Sequence, residues 1–275
     1  MTRTRALVVA AVAAALVALL PSAAQGATGP VAPSPSAPTQ RTLDSVARAW
    51  RATAPATVLV GRSVRGRAIV ATRQGRADAP FVLLVLGQMH GSEPRGRAVV
   101  AAVRALAPPA QVQVWTISTM NPDGAAAGSR TNARGVDLNR NFPLGWVHRW
   151  SKPWFFPGRA PASEPETVAM MAFLDRLRPG LVVSLHQAFN SIDVGSGKTV
   201  VWAARLAAAL HLPQPRTATG PLSSSTGERT VLSDITRGQG RRNAKLAAMP
   251  SGSAASKEEV SAELMEKTAE QLFAV

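Results

Sequence analysis

Apolar and polar positions alternate along the chain in a way that separates strands from helices. Phe81–Leu86 (FVLLVL) is a continuous apolar run ending at Gly87, the signature of a strand buried on both faces. Val112–Ser118 (VQVWTIS) and Leu181–Leu185 (LVVSL) predict two more strands of the same kind. Leu43, Val46, Ala47 and Trp50 fall at helical spacing behind Thr42, a suitable N-cap. Gly96 to Leu106 reads as a helix stopped by Pro108 and Pro109. Ser163-Glu164-Pro165-Glu166 has the form of a capping box with proline in the first turn, so a helix is expected from there towards Arg178. Val200 to Leu210 predicts another. Two β-rich runs between Thr57 and Arg73, around Gly61 and Gly66, predict a hairpin. Strands alternating with helices imply an α/β sheet with both faces covered. No internal repeat is present.

The N-terminus follows a different pattern. Arg3 and Arg5 precede an unbroken apolar run of 15 residues, Ala6 to Leu20, and then Pro21 and small residues. That run is short for a membrane span and suits a secretory signal. Residues 1–26 are therefore expected to be a signal peptide, with cleavage after Ala24 or Gly26. Residues 27–41, rich in Pro, Ala, Ser and Thr, read as an extended linker. The folded domain is expected over 42–275. The mature protein is expected to be secreted and extracellular, with cell-wall association a further expectation, and to have no stable membrane span.

Composition narrows the chemistry. Cysteine is absent from the 275 residues, so disulfides, thiolate nucleophiles and cysteine-based metal sites are excluded. A metal would have to use His, Asp or Glu, and only four histidines exist: His90, His148, His186 and His211. His90 and Glu93 lie three residues apart directly after the FVLLVL strand, and His186 directly follows LVVSL. Two His and one Glu with a fourth position open to water form a catalytic zinc ligand set. Sites of this kind belong at the carboxyl ends of strands in an α/β sheet. His148 reads as a surface or packing residue, and His211 as a cation at a helix end. Asn121-Pro122-Asp123-Gly124 is a turn signal. Gly195 to Thr199 imitates the end of a phosphate-binding loop but lacks its first glycine, since Ile192 occupies that position. The formal charge of +15 is not clustered with interleaved aromatics as nucleic-acid binding would want, so no nucleic-acid partner is expected. It suits attraction to an anionic cell wall.

Taken in order, HGSE at 90–93, NPDG at 121–124, GVDLNRNFP at 135–143, SEPET at 163–167 and SLH at 184–186 resemble the zinc carboxypeptidase family over roughly Gly61 to Leu210. The RTNARGVDLNRNFP and SLHQAFNSIDVGSGKT segments are similar to its compact bacterial branch of murein peptide amidases and cell-wall carboxypeptidases. The resemblance implies a single domain with a twisted mixed β-sheet and helices on both faces. It also implies that His90, Glu93 and His186 hold one zinc ion, with Asp137 accepting a hydrogen bond from His90. Asn139 and Arg140 would grip the terminal carboxylate of a substrate, and Arg130 would stabilise the oxyanion of the tetrahedral intermediate.

The resemblance also implies a general-base glutamate on a late strand and a loop tyrosine, and the chain contains no tyrosine. Residues 221–275 match the family poorly; Ser223 to Ser256 is polar and predicts no strand. Val260-Ser261-Ala262-Glu263-Leu264 is the best context for the base, which makes Glu263 the candidate. The competing reading places Glu263 on a helix opened by the capping box Ser256–Glu259, as a solvated charge. Glu228 is a second candidate, and a chain without a base is a third reading. The expected function is a secreted zinc metallocarboxypeptidase, a monomer acting on peptides near a free carboxylate, with peptidoglycan stem peptides the leading substrate. Alternatives are an acylase-like hydrolase of N-acyl amino acids and a catalytically deficient wall-binding homologue.

Overall fold

Phe81–Leu86 forms β3, near the middle of the sheet. The computed structural model describes residues 38–187, 191–192, 199–209, 213–214 and 233–236, and the elements and contacts below refer to these residues. The element order begins with α1 (Gln40–Thr53), β1 (Thr57–Arg62), β2 (Ala68–Gln74), β3, α2 (Arg95–Ala105) and β4 (Val112–Ile117). It continues with α3 (Pro122–Ala127), α4 (Leu138–Asn141), a 3-10 turn (Pro153–Phe155), α5 (Pro165–Leu177) and β5 (Leu181–His186), then β6 (Ser191–Ile192), α6 (Thr199–Ala209) and β7 (Ser233–Thr236).

The seven strands lie in the order β1-β2-β4-β3-β5-β7-β6. β4, β3, β5 and β7 run parallel, while β1, β2 and β6 are antiparallel to their neighbours. The sheet is mixed and the fold is a single α/β domain. Side chains of β3 alternate between two apolar layers. Val82, Leu84 and Leu86 pack with Trp115, Met170, Phe173 and Leu174 under α1 and α5. Leu83 and Val85 pack with Val99, Val100, Val103, Ala203 and Leu206 under α2 and α6. Helices therefore cover both faces, which explains why β3 and β5 read as continuous apolar runs.

Several local expectations shift. Helix α1 starts at Gln40, two residues inside the expected linker, and its cap is Thr39, whose hydroxyl accepts from the Thr42 N–H. Proline at 38 stops the helix from extending further back. Val46, expected on the apolar stripe, is exposed, and Arg51 is buried in its place with Nη1 donating to the Leu177 carbonyl at 2.7 Å. The capping box at Ser163 does not form. Glu164 is the N-cap residue without a side-chain cap, and the Glu166 carboxylate leaves the helix to accept from the Val64 N–H at 3.0 Å. NPDG is a helix start and not merely a turn: Asn121 caps α3 by accepting from the Gly124 N–H. β7 lies in the tail segment that predicts no strand; its four residues pair in parallel with β5, His186 opposite Thr236. The signal peptide, His211, Glu228 and Glu263 lie outside the described residues.

Candidate metal centre

β3 and its neighbours create a crevice. From β3 the chain passes to β4 on one side and later to β5 on the other, so the carboxyl ends of β3 and β5 diverge at a topological switch point. The HGSE turn leaves β3 into this crevice, and His186, the last residue of β5, enters it from the opposite side. The turn is held low by glycine. A Cβ at Gly91 would meet the Gly124 carbonyl group at the start of α3, and a Cβ at Gly96 would meet the Gly87 carbonyl. The two loops therefore approach backbone to backbone, and no other residue fits at either position without displacing main chain.

His90, Glu93 and His186 converge there, with one donor atom from each lying within 4.8 Å of the others. Glu93 Oε1 is 3.0 Å from His90 Nδ1, and Glu93 Oε2 is 3.0 Å from His186 Nδ1. The two Nδ1 atoms are 3.1 Å apart. Donors bound tetrahedrally to zinc at about 2.0–2.1 Å sit about 3.3 Å from one another, so this triangle is close to the size of a zinc ligand set. His90 Nε2 lies 3.0 Å from Asp137 Oδ1. An ionised carboxylate only accepts, so Nε2 carries a proton, and Nδ1 is the ring atom that faces the other two ligands and can bind a metal once deprotonated. The donor set and tautomer fit a zinc ion.

Asp137 is fully buried and saturated. Oδ1 also accepts the Asn139 N–H at 3.0 Å, capping α4, and Oδ2 accepts from Arg130 Nε at 3.0 Å and Nη2 at 2.9 Å. Arg130 Nη1 reaches Glu93 Oε1 at 3.3 Å. One guanidinium thus spans the aspartate behind His90 and the carboxylate of the ligand triangle. Burial pushes the Glu93 carboxyl up, but its hydrogen bonds to His186 and His90 outweigh burial and hold it well below the usual range. Burial also pushes Asp137 up, and the His90 hydrogen bond with the charges of His90, Arg130 and Arg140 holds it down.

Arg130 and Arg140 both pack against Phe155, their guanidinium carbons lying 5.1 and 5.9 Å from its ring centroid. Asn139 is 4% exposed, whereas Arg140 is half-buried and lines an open groove. Among the residues expected to meet substrate, Arg130 and Arg140 therefore present the accessible charge. His148 is exposed and stacks with Trp146 at 5.7 Å, away from the ligand triangle.

Supporting residues escaped the sequence reading. The Gln187 N–H donates to Glu93 Oε2 at 3.2 Å, while its side-chain oxygen accepts from the Arg95 N–H at the start of α2. Asn132 folds the loop between Arg130 and Asp137: its carbonyl oxygen accepts from the Arg134 and Val136 N–H groups. Its amide donates to Glu164 and Glu166 at 2.8 and 3.1 Å. Arg134 pairs with Glu164 at 3.6 Å. Asp123 of NPDG accepts from the Arg65 N–H and pairs with Arg67. The signal available in the chain was the number of carboxylates and amides in otherwise apolar surroundings, each of which needs a partner once buried.

Comparison with known proteins places these features in one context. The family model for zinc carboxypeptidase matches residues 43–201. Murein peptide amidase A of Escherichia coli K12 is 33% identical over 151 residues, which is 50% of this chain and 62% of that protein. The chain thus spans less than two thirds of the length of this curated relative. The crystal structure of a murein-tripeptide amidase from Escherichia coli O157 aligns with a TM-score of 0.52 and 27% identity, covering 80% of this chain and 95% of that one. A carboxypeptidase A from Helicoverpa armigera has a TM-score of 0.57 at 16% identity, over 84% of this chain and 70% of that one, and shares the fold.

Proposed function

This chain belongs to the zinc carboxypeptidase family, and we propose that it is a secreted zinc-dependent hydrolase of peptidoglycan stem peptides, cleaving an amide bond near a free carboxylate. The observation that carries the reading is the convergence of His90, Glu93 and His186 at the ends of β3 and β5, backed by Asp137. Similarity to proteins named murein peptide amidase supports the substrate class, and the apolar run after Arg3 and Arg5 supports export.

Bound zinc supplies Lewis acidity for the scissile carbonyl and a nucleophile from water at neutral pH. His90, Glu93 and His186 hold the ion, and Asp137 fixes the ring and proton of His90. Arg130 lies beside the ligand triangle, where its guanidinium donates to negative charge developing on the carbonyl oxygen. Arg140, with Asn139, binds the free carboxylate; a planar guanidinium suits that bidentate contact. Glu263 is the proposed general base on the resemblance of its sequence context. The protein acts as a monomer.

The test is to load the purified protein with zinc and follow release of the amine from stem tripeptides and tetrapeptides. Zinc-dependent cleavage that disappears in the His186→Ala variant is the expected result. A protein that holds zinc but leaves every such amide intact would overturn the hydrolytic reading.

A further inference from the structure

The segment Trp146 to Phe156 does more than connect α4 to α5. Its rings form a chain across the surface: Trp146 stacks on His148, His148 meets Trp150 at 5.2 Å, and Trp150 meets Phe156 edge-on at 4.8 Å. Trp150 and Trp154 are nonetheless 42% and 49% exposed. Large apolar faces left in water beside cations are costly to solubility and serve recognition more often than folding. An open groove of about 450 Å³ runs along this segment, lined by Arg140, Arg149, Trp150, Ser151 and Phe155. That volume lies in the range of about 300–1,000 Å³ typical of small-ligand sites. Phe155 of the groove wall also meets Arg130, whose Nη1 reaches Glu93 of the ligand triangle. Lys152 adds a further cation 5.2 Å above the Trp154 ring, and no acidic residue occurs from 138 to 163.

Two demands on the occupant follow. It must be anionic, because both charged side chains in the wall, Arg140 and Arg149, are cations. It must also present a flat apolar face ringed by polar groups, because the exposed Trp150 indole lies between Arg149 and Ser151 in the groove wall. A pyranose ring has such a shape: its C–H face stacks on an aromatic ring while its hydroxyl and amide rim stays hydrogen-bonded. A bare acidic peptide meets the first demand only. A lipid surface is flat and does not match a concave groove. We propose that this groove is a subsite for an acidic glycopeptide, with the sugar stacked on Trp150 and a carboxylate held by Arg149. This rests on the hydrolytic reading above for its substrate class and adds that the saccharide remote from the scissile bond is recognised.

Binding decides the question independently of turnover. The metal-free full chain is titrated calorimetrically with a stem peptide carrying an N-acetylated amino-sugar disaccharide, and with the same peptide without sugar. The glycopeptide is expected to bind about tenfold more tightly, the scale of one aromatic platform. Trp150→Ala should bring the two affinities together while leaving the sugar-free peptide unchanged, and Arg149→Ala should weaken both. Trp150→Leu, which keeps an apolar side chain but removes the flat ring, repeats the measurement should Trp150→Ala fold poorly. Equal binding of the two peptides by the wild-type chain, or binding of anionic vesicles in place of glycopeptide, overturns the proposal. A sugar preference in binding without cleavage of either peptide leaves the groove standing and removes the hydrolytic reading.

Discussion

Arg130 and Asp137 are joined side-on, with Nε and Nη2 of the guanidinium both donating to one carboxylate oxygen at 3.0 and 2.9 Å. The pair leaves Nη1 directed at Glu93 and sets the third donor of the arginine beside the ligand triangle. Lysine keeps the charge but cannot make this fork. Arg130→Lys should therefore lower kcat by about 10²–10³, the usual cost of one oxyanion donor, while zinc stoichiometry is kept. Steady-state kinetics with parallel metal analysis checks it; a loss below threefold would contradict the role given to Arg130.

Asp137 fixes the tautomer of His90 by accepting from Nε2. An amide in its place can turn its NH2 towards His90 and force the proton onto Nδ1, the atom needed for the metal. Asp137→Asn is expected to weaken zinc binding by about 10–100-fold. Competition against a chromophoric chelator measures this. Unchanged affinity would show that His90 does not depend on Asp137.

The same carboxylates govern the acid limb of the metal-free protein. Glu93 and Asp137 are held below their ordinary values of 4.5 and 3.8, burial being outweighed by His186, His90 and Arg130. A depressed folded value means that the stabilisation is present above the unfolded value and is lost as pH falls through the folded one. Denaturant midpoints of the metal-free chain should therefore fall as pH drops below about 4.5, and Glu93→Gln should make that slope shallower. An identical acid slope in the variant would remove Glu93 from the account.

Glu166 ties α5 to the β1–β2 turn and to the Asn132 loop. Removing the carboxylate in Glu166→Ala leaves the Val64 N–H and one Asn132 N–H without their acceptor in a buried place. The expected cost is about 3 kcal/mol in chemical denaturation, with zinc affinity little changed. A cost under about 0.5 kcal/mol would mean that water replaces the carboxylate.

The legible parts of the fold were those whose pattern is local. β3 and β5 were readable because both faces are covered, so every position in FVLLVL and all but Ser184 in LVVSL are apolar. The His90, Glu93 and His186 triangle could be located because its members flank those strands. β7 was not readable: Ser-Asp-Ile-Thr has little strand character, and its order comes from pairing with β5. Glu166 was misread for a related reason. Its place in the first turn suits a capping box, but a distant N–H at Val64 competes for the carboxylate and wins. The link from Arg130 to Glu93 spans 37 residues and leaves no periodic trace.

The general base is the remaining chemical question, and the two candidate glutamates make opposite demands on a mutational test. A base must lose a proton and return it within each turnover, so its amide variant keeps volume and polarity but removes that capacity. Glu263→Gln should lower kcat by about 10²–10⁴ with KM and zinc content nearly unchanged, the signature of a group used in the transition state. Glu228→Gln should leave kcat within about twofold if Glu263 is the base. The pH profile adds a readout that misfolding does not imitate: loss of a base removes the acidic limb of kcat/KM in the residual activity. Full activity in Glu263→Gln would reject that residue and place Glu263 on the solvated helix that its capping-box context also predicts.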